Sequence, residues 1–136
     1  MTVKDIMQTS VLRVSQDTPI KEVARIIFST GISGAPVTNG KKLVGIITEE
    51  DILSKVSSTN KNGDTLDEIL EQPVNKIMNK KVVTVPQNTN LLEAEKIMLE
   101  NNFSRLPVVD ENENLIGIVS QGDIFRQVLK DKIPQM

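Results

Sequence analysis

The chain has 136 residues, 38% of them hydrophobic and 25% charged, with a net charge of −2. That length and composition suit one ordinary globular domain or two small fused units. The slightly acidic balance argues against a general nucleic-acid binder, which needs a basic surface. Trp and Tyr are absent, so Phe28, Phe103 and Phe125 are the whole aromatic complement and form no base-stacking platform.

Cys and His are also absent. Their absence removes thiol chemistry, His-based triads, imidazole acid–base work and the usual structural zinc sites. Carboxylates, Lys and hydroxyls remain, with no nucleophile or metal cluster to drive a hydrolase. The expectation is a protein that is not an enzyme, with no catalytic residue, metal or catalytic cofactor. No apolar run approaches the ~18 residues of a membrane span. The start, Met1-Thr-Val-Lys-Asp5, lacks the apolar region of a signal peptide. A cytoplasmic location away from membranes is therefore expected.

In chain order, a short apolar segment comes first, Val3 to Met7, followed by an extended piece near Val11 to Val14. Thr18-Pro19 then predicts a helix start, with Thr as N-cap and Pro at the first helical position. Ile20, Val23, Ala24 and Ile27 give that helix an apolar face, and Gly31 suits its C-terminal cap. Ala35 to Thr38 and Leu43 to Ile47 flank Asn39-Gly40, a strong hairpin signal. A closing helix is expected from Glu49. The stretch Ser57 to Asp64 reads as a linker, and Leu66 to Leu70 as a short helix.

The same grammar then returns. At an offset of 71, Val3, Ile6 and Met7 match Val74, Ile77 and Met78, and Val11, Val14, Thr18, Glu22 and Ile26 match Val82, Val85, Thr89, Glu93 and Ile97. Ser33, Pro36 and Val37 match Ser104, Pro107 and Val108. One added residue in the second hairpin shifts the offset to 72, and Leu43, Gly45, Ile46, Asp51 and Ile52 match Leu115, Gly117, Ile118, Asp123 and Ile124. In the second copy the helix starts at Thr89 and uses Leu91, Ala94 and Met98. Asn101 and Asn102 stand where Gly31 stood. Leu106 to Val109 and Leu115 to Val119 are the strands, and a closing helix begins at Gln121. Met7, Met78 and Met98 read as core filler.

The repeat defines three segments: repeat one at 1–60, a linker with a short helix at 61–73, and repeat two at 74–136. A unit of ~60 residues buries only ~60% of its unfolded surface and is marginal alone. The expected α+β fold is therefore two β-α-β-β-α repeats packed sheet to sheet with pseudo-twofold symmetry. Clefts between such similar units are common ligand sites.

The chemistry concentrates where each last strand meets the closing helix. Leu43-Val-Gly-Ile-Ile-Thr-Glu-Glu-Asp-Ile52 and Leu115-Ile-Gly-Ile-Val-Ser-Gln-Gly-Asp-Ile124 both end a strand on a hydroxyl and place Asp three residues later. Thr48-x-x-Asp51 and Ser120-x-x-Asp123 have the form of capping boxes. The same geometry offers free N–H groups and partial positive charge to a phosphate, a hydroxyl donor beside it, and a carboxylate for the vicinal hydroxyls of a ribose. Gly45 and Gly117 signal a bulge or a close backbone approach. Arg105 precedes its strand in Ser104-Arg-Leu-Pro-Val108 and suits a bidentate phosphate clamp, whereas its partner position is Gly34. Junction one also carries Glu49 and Glu50 where junction two carries Gln121 and Gly122. Like charge weakens anion binding at the first, so the second junction is expected to hold phosphate better.

The doubled Val-x-x-Ile-Met, the Thr-Pro-Ile or Thr-Asn-Leu helix openings, the Pro-Val strands and the Gly-Ile-(Ile/Val)-(Thr/Ser)-x-x-Asp-Ile junctions together resemble a tandem pair of CBS (cystathionine β-synthase) domains, a Bateman module, over nearly the whole chain. That resemblance implies binding of adenine nucleotides or S-adenosylmethionine in two symmetric clefts. It puts Ser120 and Thr48 on phosphate and Asp123 and Asp51 on ribose. Arg105 matches a basic residue that contacts phosphate in the gamma subunit of AMP-activated kinase, a match Gly34 lacks. The resemblance also implies adenine contacts at Thr9, Ser10 and Val11 for the preferred cleft, and at Lys80, Lys81 and Val82 for the weaker one. It implies a homodimer, the commonest closed symmetry.

The function expected from all this is a stand-alone regulatory module. It would bind AMP, ADP or ATP as a regulatory ligand and signal occupancy to an effector protein, since no catalytic domain is attached. The alternatives are a protein-interaction scaffold with vestigial clefts, motivated by Gly34 and Glu49-Glu50, and an S-adenosylmethionine binder.

Overall fold

The computed structural model describes residues 1–58 and 63–133. The middle of the expected linker, residues 59–62, lies outside the described residues. Two compact units emerge, one formed by Met1–Val11 with Val83–Met136 and the other by Leu12–Val82. Each holds the sheet and helices of one repeat together with the leading segment of the other.

In the Leu12–Val82 unit, β1 (Val14–Ser15), β2 (Gly34–Asn39) and β3 (Lys42–Thr48) form one sheet in that order. β1 runs parallel to β2, and β2 and β3 form the antiparallel hairpin. Gly40 makes the turn at φ 62, a conformation that favours glycine. Helix α1 (Ile20–Thr30) buries Ile20, Val23 and Ile27. Val23 and Ile27 join Val14, Ala35, Val37, Ile47, Val74 and Met78 within the core of the unit. Helices α2 (Glu49–Ser57) and α3 (Leu66–Glu71) complete it. The expected helix from Leu66 is therefore present, capped by Thr65 with Glu68.

In the other unit, β4 (Val85–Pro86), β5 (Arg105–Val109) and β6 (Leu115–Ser120) repeat that topology. Helix α4 (Leu91–Asn101) buries Leu91, Ala94 and Met98, and α5 (Gln121–Leu129) buries Ile124. Leu106, Val108 and Val119 fill the core with Val3 from the leading segment. Both main helices end on a left-handed residue, Gly31 at φ 74 and Asn102 at φ 57, as the caps require. No helix among the described residues is long and apolar enough to cross a membrane.

The helix starts differ from expectation by one residue. Pro19, not Thr18, is the N-cap of α1, extended at ψ 145 and without a side-chain bond. Asn90, not Thr89, caps α4, its Oδ1 accepting from Leu92 N–H at 2.9 Å. The two threonines are committed elsewhere. The Thr18 carbonyl accepts from Val74 N–H at 2.8 Å and the Thr89 carbonyl from Val3 N–H at 2.9 Å. Those bonds anchor each leading segment, which forms a short 3₁₀ turn at Val74–Lys76 or Val3–Asp5.

The strand glycines are explained by the same segments. Gln8 and Ile118 exchange N–H···O bonds of 2.9 Å in both directions, as do Asn79 and Ile46. That pairing lays Met7 across Gly117 and Met78 across Gly45. A Cβ on Gly117 would lie 2.5 Å from Met7 Sδ and 3.0 Å from the Gln8 carbonyl oxygen, and one on Gly45 would lie 2.6 Å from Met78 Sδ. Each glycine also sits opposite a register shift, Gly117 at the step from Val108 to Val109 and Gly45 at the step from Val37 to Thr38. Close approach and bulge therefore coincide.

Candidate functional site

In the Met1–Val11 and Val83–Met136 unit, β6 ends at Ser120 and α5 begins at Gln121 without an intervening loop. Ser120 is extended, at φ −113 and ψ 159. Its Oγ accepts from Asp123 N–H at 3.1 Å, and Asp123 Oδ2 accepts from Ser120 N–H at 3.3 Å. This is a capping box, and it fixes hydroxyl and carboxylate side by side. Because Oγ accepts the amide, its own O–H remains to donate outward. The Gln121 N–H is taken by the Ser104 carbonyl at 2.9 Å, and the Gln121 side chain donates to Glu95 Oε1 at 3.0 Å.

Strand pairing delivers the guanidinium. Arg105 stands directly opposite Ser120 in the β5–β6 register, a position where side chains lie within about 5.5 Å at their Cβ atoms. Arg105 is exposed and forms no ion pair among the described residues. The leading segment delivers Gln8, held at the strand by its bonds to Ile118. Gln8, Ser104, Arg105, Ile118, Ser120, Gln121, Gly122, Asp123 and Arg126 line one cleft of about 470 Å³. Its ionic groups are two guanidiniums and one carboxylate. Arg126 Nη2 bonds Asp123 Oδ1 at 2.9 Å.

The matching junction in the Leu12–Val82 unit has the same bonds and the opposite charge. Thr48 N–H donates to Asp51 Oδ2 at 2.9 Å, and Asp51 N–H donates to Thr48 Oγ1 at 3.2 Å. Gly34 pairs with Thr48 in the β2–β3 register where Arg105 pairs with Ser120. The first turn of α2 carries Glu49, Glu50 and Asp51, and Ser54 occupies the place of Arg126. A Cβ on Gly34 would lie 2.7 Å from the Ile47 carbonyl oxygen. The backbone itself therefore resists a side chain there.

Of the residues expected at the preferred site, Ser120, Asp123 and Arg105 come together in one cleft. Thr9 and Ser10 are exposed and Val11 is half-buried, and the residue of their segment that lines the cleft is Gln8. Thr48, Asp51, Lys80, Lys81 and Val82 share the other unit. Lys80 and Lys81 are exposed, with Lys81 N–H bonded to Asn79 Oδ1 at 2.9 Å, and Val82 is half-buried. Sequence reasoning missed Gln8 and Arg126. The spacing of Asp123 and Arg126, three apart on a helix, is a signal that could have found Arg126. Gln8 carries no comparable signal, because its place depends on pairing with Ile118, a strand residue near the far end of the chain.

The fold and junctions thus define a tandem-repeat module whose polar cleft forms where a strand runs into a helix N-terminus. The model of the CBS domain matches residues 3–58 and 74–130, and the chain belongs to that family. It is similar to the uncharacterized protein MJ1426 of Methanocaldococcus jannaschii, 33% identical over 95% of this chain and 92% of that protein. Against MJ0188 of the same organism it spans only 46% of the relative's length. Among solved structures it resembles CBSX2 of Arabidopsis thaliana in complex with AMP, at TM-score 0.81 and 28% identity over 97% of this chain and 98% of that one. It also resembles the CBS domain pair of MJ0100 in complex with 5′-methylthioadenosine and S-adenosyl-L-methionine, at TM-score 0.73 and 28% identity over the same shares.

Proposed function

We propose that the chain is a ligand-sensing regulatory module, not an enzyme, that binds AMP, ADP or ATP and passes occupancy to an effector protein, acting as a cytoplasmic homodimer. The observation that carries the reading is that Ser120, Asp123 and Arg105 line a single cleft. The Ser120 hydroxyl donates to a phosphate oxygen, and the Arg105 guanidinium, which forms no ion pair among the described residues, clamps it. Asp123 faces the ribose diol, because its charge repels the phosphate. The complexes of CBSX2 with AMP and of MJ0100 with adenosine-derived ligands support an adenosine ligand here. The Thr48 and Asp51 junction, crowded by Glu49 and Glu50, is the weaker site, with Lys80, Lys81 and Val82 as its remaining contacts. Thr9, Ser10 and Val11 follow Gln8 and contribute adenine contacts to the preferred site.

A thermal-shift panel of AMP, ADP, ATP, adenosine and S-adenosylmethionine tests this. Binding must stabilise the folded state, by about 2.7 kcal/mol at a hundredfold excess over Kd. The expected result is a rise in Tm with at least one phosphorylated adenosine. No rise with any adenosine ligand at millimolar concentration contradicts the reading.

A further inference from the structure

We propose that Arg126 sets the charge preference of the cleft, selecting an adenosine ligand with a 5′-phosphate over one with a sulfonium. This deepens the nucleotide reading and rests on it. Arg126 and Asp123 form a pair in which the aspartate side chain is 15% exposed and the arginine side chain 72%. The Arg126 end of the pair stands in solvent, where its attraction to Asp123 is screened, and both residues line the cleft that a ligand would enter. Among the described residues Nη2 alone is engaged, at 2.9 Å from Asp123 Oδ1, which leaves the Nη1 edge of the fork to donate.

That edge borders a defined space. The position a Cβ would take on Gly122 lies 3.5 Å from Arg126 Nη1, 3.7 Å from Nη2 and 3.8 Å from Ser120 Oγ. A guanidinium and a hydroxyl, both donors, therefore converge beside a residue without a side chain. An oxyanion there gains charge-assisted bonds. A sulfonium at the same end of the ribose instead meets two guanidiniums, Arg105 and Arg126, against the single carboxylate of Asp123, which is paired with Arg126 and turned to the ribose. The matching positions of repeat one are Glu50 and Ser54, so this arrangement belongs to the second repeat alone.

The test is calorimetric titration of the full chain and of Arg126→Ala and Arg126→Lys with AMP, adenosine and S-adenosylmethionine. Arg126→Ala is expected to weaken AMP about tenfold, the scale of one exposed charge-assisted bond. It should leave adenosine within about twofold and strengthen S-adenosylmethionine, so the preference for AMP collapses. Arg126→Lys should retain part of the preference, because it keeps the charge without the fork. An unchanged AMP to S-adenosylmethionine ratio in Arg126→Ala, or an equal loss of all three ligands, overturns the assignment while leaving the nucleotide reading intact. Failure of the wild-type chain to bind any of the three overturns this inference, and the same failure with ADP and ATP overturns the nucleotide reading as well.

Discussion

At both strand-to-helix junctions a hydroxyl and an aspartate exchange hydrogen bonds with the backbone, at 3.1 and 3.3 Å around Ser120 and at 3.2 and 2.9 Å around Thr48. The capping geometry is thus common to the two copies while their surroundings differ. One junction carries Arg105, Gly122 and Arg126; the other carries Gly34, Glu50 and Ser54 in the same places. A capping box alone is a structural device. The charges around it decide whether it is also an anion site.

The largest expected effect comes from giving the second junction the side chain of the first. Gly122→Glu has room to fold, since its Cβ makes only ordinary contacts, the nearest at 3.5 Å. Its carboxylate then stands beside the phosphate, a like-charge approach that costs several kcal/mol. AMP affinity should fall more than about a hundredfold in calorimetry, with Tm nearly unchanged. Arg105→Ala follows, at roughly tenfold in AMP affinity, the loss of one exposed charge-assisted clamp. The reverse exchange should not create a site. Gly34→Ala forces a Cβ against the Ile47 carbonyl and should cost about 1–3 kcal/mol in urea unfolding, with AMP binding retained by the intact second junction. The smallest effect is the cap itself. Thr48→Ala and Ser120→Ala should each cost about 1 kcal/mol of stability, yet only Ser120→Ala should also weaken AMP.

Much of this was legible in the residues because the chain states it twice. Identities at a fixed spacing located both hairpins, both closing helices and both capping boxes, and Asn39-Gly40 and Gly31 marked their turns through backbone chemistry that is local. What escaped was non-local. Thr18 and Thr89 look like N-caps until their carbonyls are seen to hold Val74 and Val3. Gln8 reaches the cleft through pairing with Ile118, and the strand glycines make room for Met7 and Met78. Repeat boundaries likewise differ from compact units, because each leading segment is bonded into the sheet of the other repeat. No local propensity encodes that exchange.

The measurement that bears most directly on the account is calorimetric titration of AMP into Asp123→Ala and Asp51→Ala side by side. Loss of the ribose-dependent affinity in Asp123→Ala, with Asp51→Ala binding like the wild type, is the predicted result. Full AMP affinity in Asp123→Ala, or its loss in Asp51→Ala alone, would contradict it.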